Sequence, residues 1–562
     1  RAEETEPAKQ GLSNRYTIGG VTAEAITFLY GDGSDVARQQ ALNDLLEVAS
    51  RRPTRIAAAL LGLLARMEDK ARVTTPRSPS ALPLDAPDQW SISWTNYHDV
   101  YRDALPQLPA WASTLTDPDE ASRQFWPTIA RYGFAYNLLL PKKVDDAAAL
   151  KRQFAERWEE EWERAAASGA LYLIDLSIFA SLPTDTVAGF DRFTPSTMIL
   201  LRQDPVSKTL IPIAVRVAGH DDRDARLFTR SGASDSAWLY ALQAAKTSIT
   251  VYGIWLGHVY HWHIVTASML MTMNNSLPKD HPLYLMLTPQ SDYLIQFDEI
   301  LLLLWDFIAP PSSVGSPLSF LRLTDRFAEG RSFFDDDPRS TLRHLGIEQA
   351  DFSWQQPWDQ YPIVADYLTI WQAVEDYVDR VVDASYAGDR AVADDRALQK
   401  WMAAASDPHE GNIRGLPAMT DRQALCDVLT SLLYRIVAHG SSRLNAAANP
   451  ALTFVANFPP CLQDTSIPAT DATFETEKLL AYLPRTGTIG LMVTFYFTFV
   501  FSASYVPLIP KDGVEADLFF PGGPDEPRNR ALVAFRRKMV EFMEGFQPAA
   551  PQIHQWPMNI ET

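Results

Sequence analysis

The stretch GHVYHWHIVTASMLMTMNNSLPKDHP, residues 257–282, decides how this chain is read. Three of the ten histidines, His258, His261 and His263, fall within six residues, and His281 follows before a proline. The flanks are apolar and aromatic: Ile254, Trp255 and Leu256 before, Ile264, Val265, Met269 and Leu270 after. Such a segment reads as a buried helix, and buried imidazoles need partners, because an unpaired buried polar group costs roughly 1–3 kcal/mol. One metal ion suits several imidazoles at once. On a regular α-helix, residues three or four apart share a face, which favours His258 with His261. His258 and His263 are five apart and meet only where a π-bulge supplies i→i+5 bonding. Spacing alone leaves the pair open, and satisfied core or surface histidines remain the plain alternative.

Outward from this centre, composition sets bounds. A chain of 562 residues with 46% hydrophobic residues can bury a large core without cross-links. The net charge of −19 argues against a general nucleic-acid surface and against broad attraction to anionic lipid. The two cysteines, Cys426 and Cys461, exclude a disulfide scaffold and are expected to be buried. They leave the compartment open, as does a chain beginning at Arg1: cytoplasmic, or secreted or periplasmic after processing. Fifteen tryptophans and twenty-seven phenylalanines suit a large apolar cavity or simply an aromatic core.

Periodicity predicts a mainly α protein with a few short strands. Helix is expected from Asp35 to Arg72, from Asp117 to Glu163 with a break at Leu140-Pro141, and widely from Trp238 onward. Val73–Asp88 and Ala309–Ser319 read as loops. Leu171–Asp175, Thr197–Leu201 and Leu210–Val217 read as strands of a small sheet beside the helical body. Tyr367–Val382, Ala391–Ala405 and Leu425–Leu444 read as amphipathic helices, the last carrying His439. Thr488–Ile509 holds twenty-two residues without a charge. Its length matches a membrane span, but its hydroxyls, Gly490 and Pro507 favour a fully buried core helix.

The histidine stretch resembles the lipoxygenase family, in which two iron-binding histidines lie five apart and a His-Pro pair follows eighteen residues after the second. His258, His263 and His281-Pro282 match that spacing without a gap, and Trp238 stands where the family has a tryptophan. Tyr132–Asn137, Ile211-Pro212-Ile213-Ala214, Trp371-x-Ala-Val-x-x-Tyr-Val, Asp394 and Leu398-Gln399-x-Trp401 resemble further family segments in the same order. The likeness covers roughly residues 110–562 and implies a large helical catalytic domain there. Residues 1–109 would form a helical extension or lid, as in some bacterial members, with no counterpart of the family's N-terminal β-barrel. It implies non-haem iron (manganese is the alternative) held by His258, His263, His439 and the carboxylate of Thr562, with His261 a neighbour. Val259, Phe297 and Leu301 would line the substrate channel. The implied partners are O2 and a polyunsaturated fatty acid or related apolar molecule. A monomer with no stable membrane span and no nucleic-acid partner is expected.

The chain departs from the family in several places. It ends in threonine rather than isoleucine. Arg443 stands four residues after the third histidine, and a guanidinium has no acceptor for a cation. The fourth ligand is then missing, replaced by water, or supplied by Ser442 or Asn445; alternatively Arg443 turns away to hold a substrate carboxylate or pairs with an acidic side chain. Leu242, Gly253, Ile254, Asp298 and Leu301 replace other family residues around the site. The reading is therefore an oxygenase that makes a fatty-acid hydroperoxide. Its rivals are a same-fold oxidoreductase acting on a polyene or other specialised metabolite, and a metal-free lipid-binding homologue.

Overall fold

The computed structural model describes residues 117–132, 141–154, 158–182, 185–187, 190–219, 222–291, 317–335, 337–344, 362–439, 459, 461–462, 464–483, 505–507, 509–510, 512–545 and 559–561. The expected segments Asp35–Arg72 and Val73–Asp88, the 1–109 extension, and Phe297, Leu301, Arg443 and Thr562 lie outside them.

The described chain is mostly helical. A five-stranded antiparallel sheet is built from β1 (Lys142–Lys143), β2 (Leu171–Leu176), β5 (Ser196–Gln203), β6 (Leu210–Ala218) and β7 (Arg226–Thr229), in that order across the sheet. A separate hairpin pairs β3 (Asp185–Val187) with β4 (Phe190–Arg192). The three strands read from alternation are all present, slightly longer than predicted. The edge strands β1 and β7 and the hairpin are too short to announce themselves by pattern. Between β5 and β6 the register shifts at Leu200/Leu201, so that Leu201 faces Pro212 while Leu200 faces Ala214. Proline has no N–H for a ladder, and a bulge is where a sheet tolerates it. The alternation of β5 feeds two cores: Ile199 and Leu201 join the main one, while Met198 and Leu200 face a satellite core with Phe154 and Trp162.

The main core is threaded by one long helix. Its first part, α2 (Asp235–Val251), follows α1 (Pro118–Tyr132) in the main body and is buried at every position from Ala237 to Val251. Ser234 caps it by accepting from Ala237 N at 3.1 Å. The hydroxyls within it find partners on the helix itself: Thr247 and Thr250 donate to the carbonyls of Gln243 and Lys246 at 2.9 and 2.7 Å. Ser248 also donates to Pro195 O at 2.7 Å, which ties the helix to the sheet. Trp238 donates from Nε1 to Ser122 of α1 at 2.8 Å. A helix apolar all round belongs in the centre of a large domain, and α2 packs on α1 and on β5, β6 and β7.

The helix continues as a π-helix, Tyr252–Ile264, then as α3 (Val265–Ser276); α4 (Pro282–Ser291) follows. Around them stand α5 (Pro317–Ala328), α6 (Pro362–Ser385), α7 (Arg396–Ser406), α8 (Arg422–Tyr434) and α9 (Pro527–Gly545). α6 packs between α8 and α9, with Tyr377 stacked on Phe535 at 5.1 Å.

Three expectations need correction. Ala391–Ala405 is two helices, Asp389–Ala393 and α7, because Asp395 stops the first and caps the second by accepting from Ala397 N and Leu398 N. The segment expected as helix through Glu163 contains β1 directly after Pro141. The uncharged run ends in a strand, β8 (Tyr505–Pro507), where continuous helix was expected. β8 pairs with β9 (Asn559–Glu561), and the rest of the run lies outside the described residues. Among the described residues no helix is long and apolar enough to cross a membrane. Cys426 and Cys461 are buried, as anticipated, and are not joined in a disulfide.

Candidate metal centre

The backbone bears on the choice that spacing leaves open. Residues 252–264 have π-helical bonding throughout. Such i→i+5 bonding brings residues five apart nearly in line, which α-helical bonding does not. Positions 258 and 263 are therefore one π turn apart. The His263 side chain is almost fully buried, 1% exposed. His439 is the last residue of a second π-helix, Arg435–His439, which continues α8 and packs against the first. The two helices that carry the anticipated ligands thus both widen where those histidines stand.

The remaining anticipated residues are placed only in part. Val259 lies in the first π-helix. β9, ending at Glu561, brings the tail beside β8, which packs against α4. Among the described residues no three His, Cys, Asp or Glu side chains form a metal-sized cluster; of the four anticipated ligands only the His263 side chain is described.

His261 is engaged elsewhere. Arg435 donates from Nε to His261 Nε2 at 2.9 Å. A guanidinium can only donate, so this ring is neutral and carries its proton on Nδ1. Arg435 is itself buried, donates to Phe333 O, and lies over the Phe333 ring at 3.9 Å. The Nε2 of His261 is thus already occupied. Arg435 was not among the sequence candidates, since its partner lies 174 residues away.

His281 is also accounted for. Its Nδ1 accepts from Leu283 N at 3.2 Å, and its Nε2 bonds Asp395 Oδ2 at 3.0 Å. Tyr386 donates to the same carboxylate oxygen at 2.8 Å. Burial acts to raise the Asp395 carboxyl, but the Leu398 N–H, His281 and Tyr386 together hold it below the ordinary carboxylate value. Burial, with the Asp395 contact adding to it, pushes the Tyr386 phenol up. The His-Pro pair thus fastens the start of α4 to the start of α7. Nearby, Trp401 of α7 donates to Met269 O of α3 at 3.1 Å, and Ser268 to Gly411 O at 2.7 Å.

A second buried cation sits upstream. Lys246 of α2 is 3% exposed, and burial lowers its ammonium to about 7.

Comparison with known proteins agrees with this frame. A family model described as Lipoxygenase matches residues 351–487, which include His439. The polyunsaturated fatty acid lipoxygenase ALOX15B of Rattus norvegicus is 25% identical over 413 residues, spanning 70% of this chain and 57% of the relative. The linoleate 9/13-lipoxygenase of Pseudomonas aeruginosa is 27% identical over 393 residues, covering 65% of this chain and 53% of that protein. The chain spans a little over half the length of these curated relatives. Among solved structures, a calcium-dependent 11R-lipoxygenase superposes with a TM-score of 0.68 at 15% identity, over 84% of this chain and 70% of that one. A lipoxygenase crystallised with arachidonate gives 0.69 at 16% identity, over 90% and 73%. These likenesses establish a lipoxygenase-like fold.

Proposed function

We propose that this chain is a non-haem iron oxygenase of the lipoxygenase type. It inserts O2 into a polyunsaturated fatty acid and yields a hydroperoxide. The observation that supports the reading is the coincidence of both π-helical segments with the histidine positions. A helix gives up α-helical bonding only against a preference, and such widenings are frequent at functional sites. Here the widening serves His258 and His263 on one segment and His439 on the other. His258, His263, His439 and the Thr562 carboxylate would hold the metal. Neutral imidazoles with one carboxylate fit iron that changes oxidation state, and manganese is the alternative occupant.

When bound, the metal supplies the one-electron oxidation that takes a hydrogen atom from the methylene between two double bonds. The chain supplies the rest. The apolar body around α2 excludes water, Val259, Phe297 and Leu301 line the path of the acyl chain, and Arg443 meets the carboxylate. Arg435 keeps His261 out of the ligand set.

Elemental analysis and turnover test this together. Freshly purified or iron-reconstituted protein is expected to hold about one iron per chain and to convert linoleate or arachidonate to a conjugated-diene hydroperoxide, read by absorbance and product analysis. Protein that takes up neither iron nor manganese overturns the metal assignment. Metal uptake without diene formation overturns the fatty-acid assignment and moves the substrate to the polyene class.

A further inference from the structure

The two π-helices are joined by a buried hydrogen bond. Arg435, the first residue of the second, donates from Nε to His261 Nε2 in the first at 2.9 Å, and the two residues are 1% and 3% exposed. His261 stands three residues after position 258 and two before position 263, and Arg435 stands four before position 439. The bond therefore crosses from one helix to the other within about one turn of each anticipated histidine position.

Both ends of this bond are tied into the same stretch of chain. Arg435 also donates to Phe333 O and lies over the Phe333 ring at 3.9 Å. One turn earlier, on α8, Ser431 donates to Asp337 Oδ1 at 2.6 Å, so Phe333 and Asp337 hold this helix at two points. On the other side, Phe333 N donates to Arg414 O at 2.8 Å, and Gly411 O accepts from Ser268 of α3 at 2.7 Å. Ser268 lies seven residues along the same rod from His261. The circuit closes: first helix, Arg435, Phe333, the 411–414 loop, and back to the first helix through Ser268.

Burying a guanidinium costs desolvation, and replacing a whole buried polar group of this kind with apolar residues of like volume is often neutral or better for stability. What the pair adds is direction. Apolar contacts tolerate sliding and rotation, whereas a hydrogen bond weakens steeply off its axis. π-helical bonding is rare and is mostly confined to single turns, so the run from Tyr252 to Ile264 needs contacts from outside to hold it.

We propose that Arg435 and His261 form a cross-brace that fixes the spacing and register of the two π-helices, which makes Arg435 a positioning residue for the metal site. Metal affinity, and not fold stability alone, then depends on this bond. The inference rests on the metal reading above and adds to it how the two halves of the site are kept in register.

Ferrous iron is the probe, titrated anaerobically into the full chain against a competing chelator. The wild type is compared with R435M, H261L, the double variant R435M/H261L and H261Q, each under conditions where circular dichroism and urea melts show it folded. R435M and H261L are each expected to weaken iron binding at least about tenfold, the lower range for loss of a supporting partner. The double variant is expected to bind no more weakly than the worse single one, since both remove the same bond. H261Q, whose amide oxygen can still accept from Arg435, is expected to bind close to wild type. Melting that shifts while iron affinity stays put overturns the proposal, as do losses that add in the double variant. Tighter binding in R435M also overturns it, because His261 is then a ligand that Arg435 withholds. If R435M does not fold, equal iron affinity in H261L and H261Q overturns the brace. Failure of the wild type itself to bind iron or manganese overturns the metal reading, and the brace with it, and is told apart because no variant is needed to see it.

Discussion

Two buried cations flank the histidine helix, and they meet burial in different ways. Lys246, on the α-helical approach, is lowered by desolvation to about 7, so it can discard its charge near neutrality. Arg435, on the second π-helix, keeps its charge and spreads it over His261, the Phe333 carbonyl and the Phe333 ring. Lysine yields to its surroundings, whereas arginine makes its surroundings comply. That is why the arginine, and not the lysine, dictates the state of a neighbouring histidine.

The contrast assigns both cations to the scaffold, and the proposed metal site is carried by histidine. The largest expected effect therefore belongs to neither cation. His263→Ala is expected to lower metal retention and turnover by more than about 100-fold, since loss even of an outer partner costs 10–100-fold. Lys246→Met is expected to retain metal at the wild-type level. Elemental analysis of the two variants breaks the comparison if the order is reversed.

Next comes Arg435→Met, which leaves the acceptors on His261 and Phe333 without their donor. A loss of about 2–4 kcal/mol in urea unfolding is expected. A neutral outcome would mean that the guanidinium's grip on the π-helix contributes nothing net.

Lys246→Met should do the reverse and stabilise, by about 2 kcal/mol near neutral pH, by removing a desolvated ammonium. The sign follows from linkage: the folded value, about 7, lies below the ordinary 10.5, so between them the unfolded chain holds more protons. Wild-type stability is then expected to rise with pH from about 7 toward 10, and the variant to lose that slope. Denaturant melts at several pH values read it.

The smallest effect sharpens the contrast with an acidic counterpart. Asp395→Asn is expected to cost about 1–2 kcal/mol by weakening the cap of α7 and the bond to His281. Because the Asp395 carboxyl is held low in the folded state, its contribution is present above the ordinary carboxylate value and fades as pH falls through the folded one. Melts under acid conditions should show the wild type and variant converging.

Much of this frame was legible in the sequence. Alternation exposed β2, β5 and β6, and the apolar flanks marked the histidine helix as buried. Spacing alone left the histidine pair open, because the backbone hydrogen-bond register decides which histidines align, and only the resemblance pointed to His258 with His263. The break before Asp395 was missed because an aspartate in an amphipathic run reads equally as solvated surface or as a cap. β8 was missed because three residues in an uncharged run carry no period of their own. The Arg435–His261 bond joins residues far apart in sequence, and nothing local announces it.

The two serines that tether the central helix have a mechanical consequence. Ser248 and Ser268 stand ten residues before and ten residues after His258, and each holds a carbonyl of a different part of the fold, Pro195 and Gly411. A rod pinned at both ends resists twisting about its long axis. Any breathing of the wider turns between the pins stays local, and the heading of the π-helical backbone that carries His258 and His263 is held by the two hydroxyls. Loosening either pin by a change to alanine would let that heading drift while every group near the reacting atoms stayed the same.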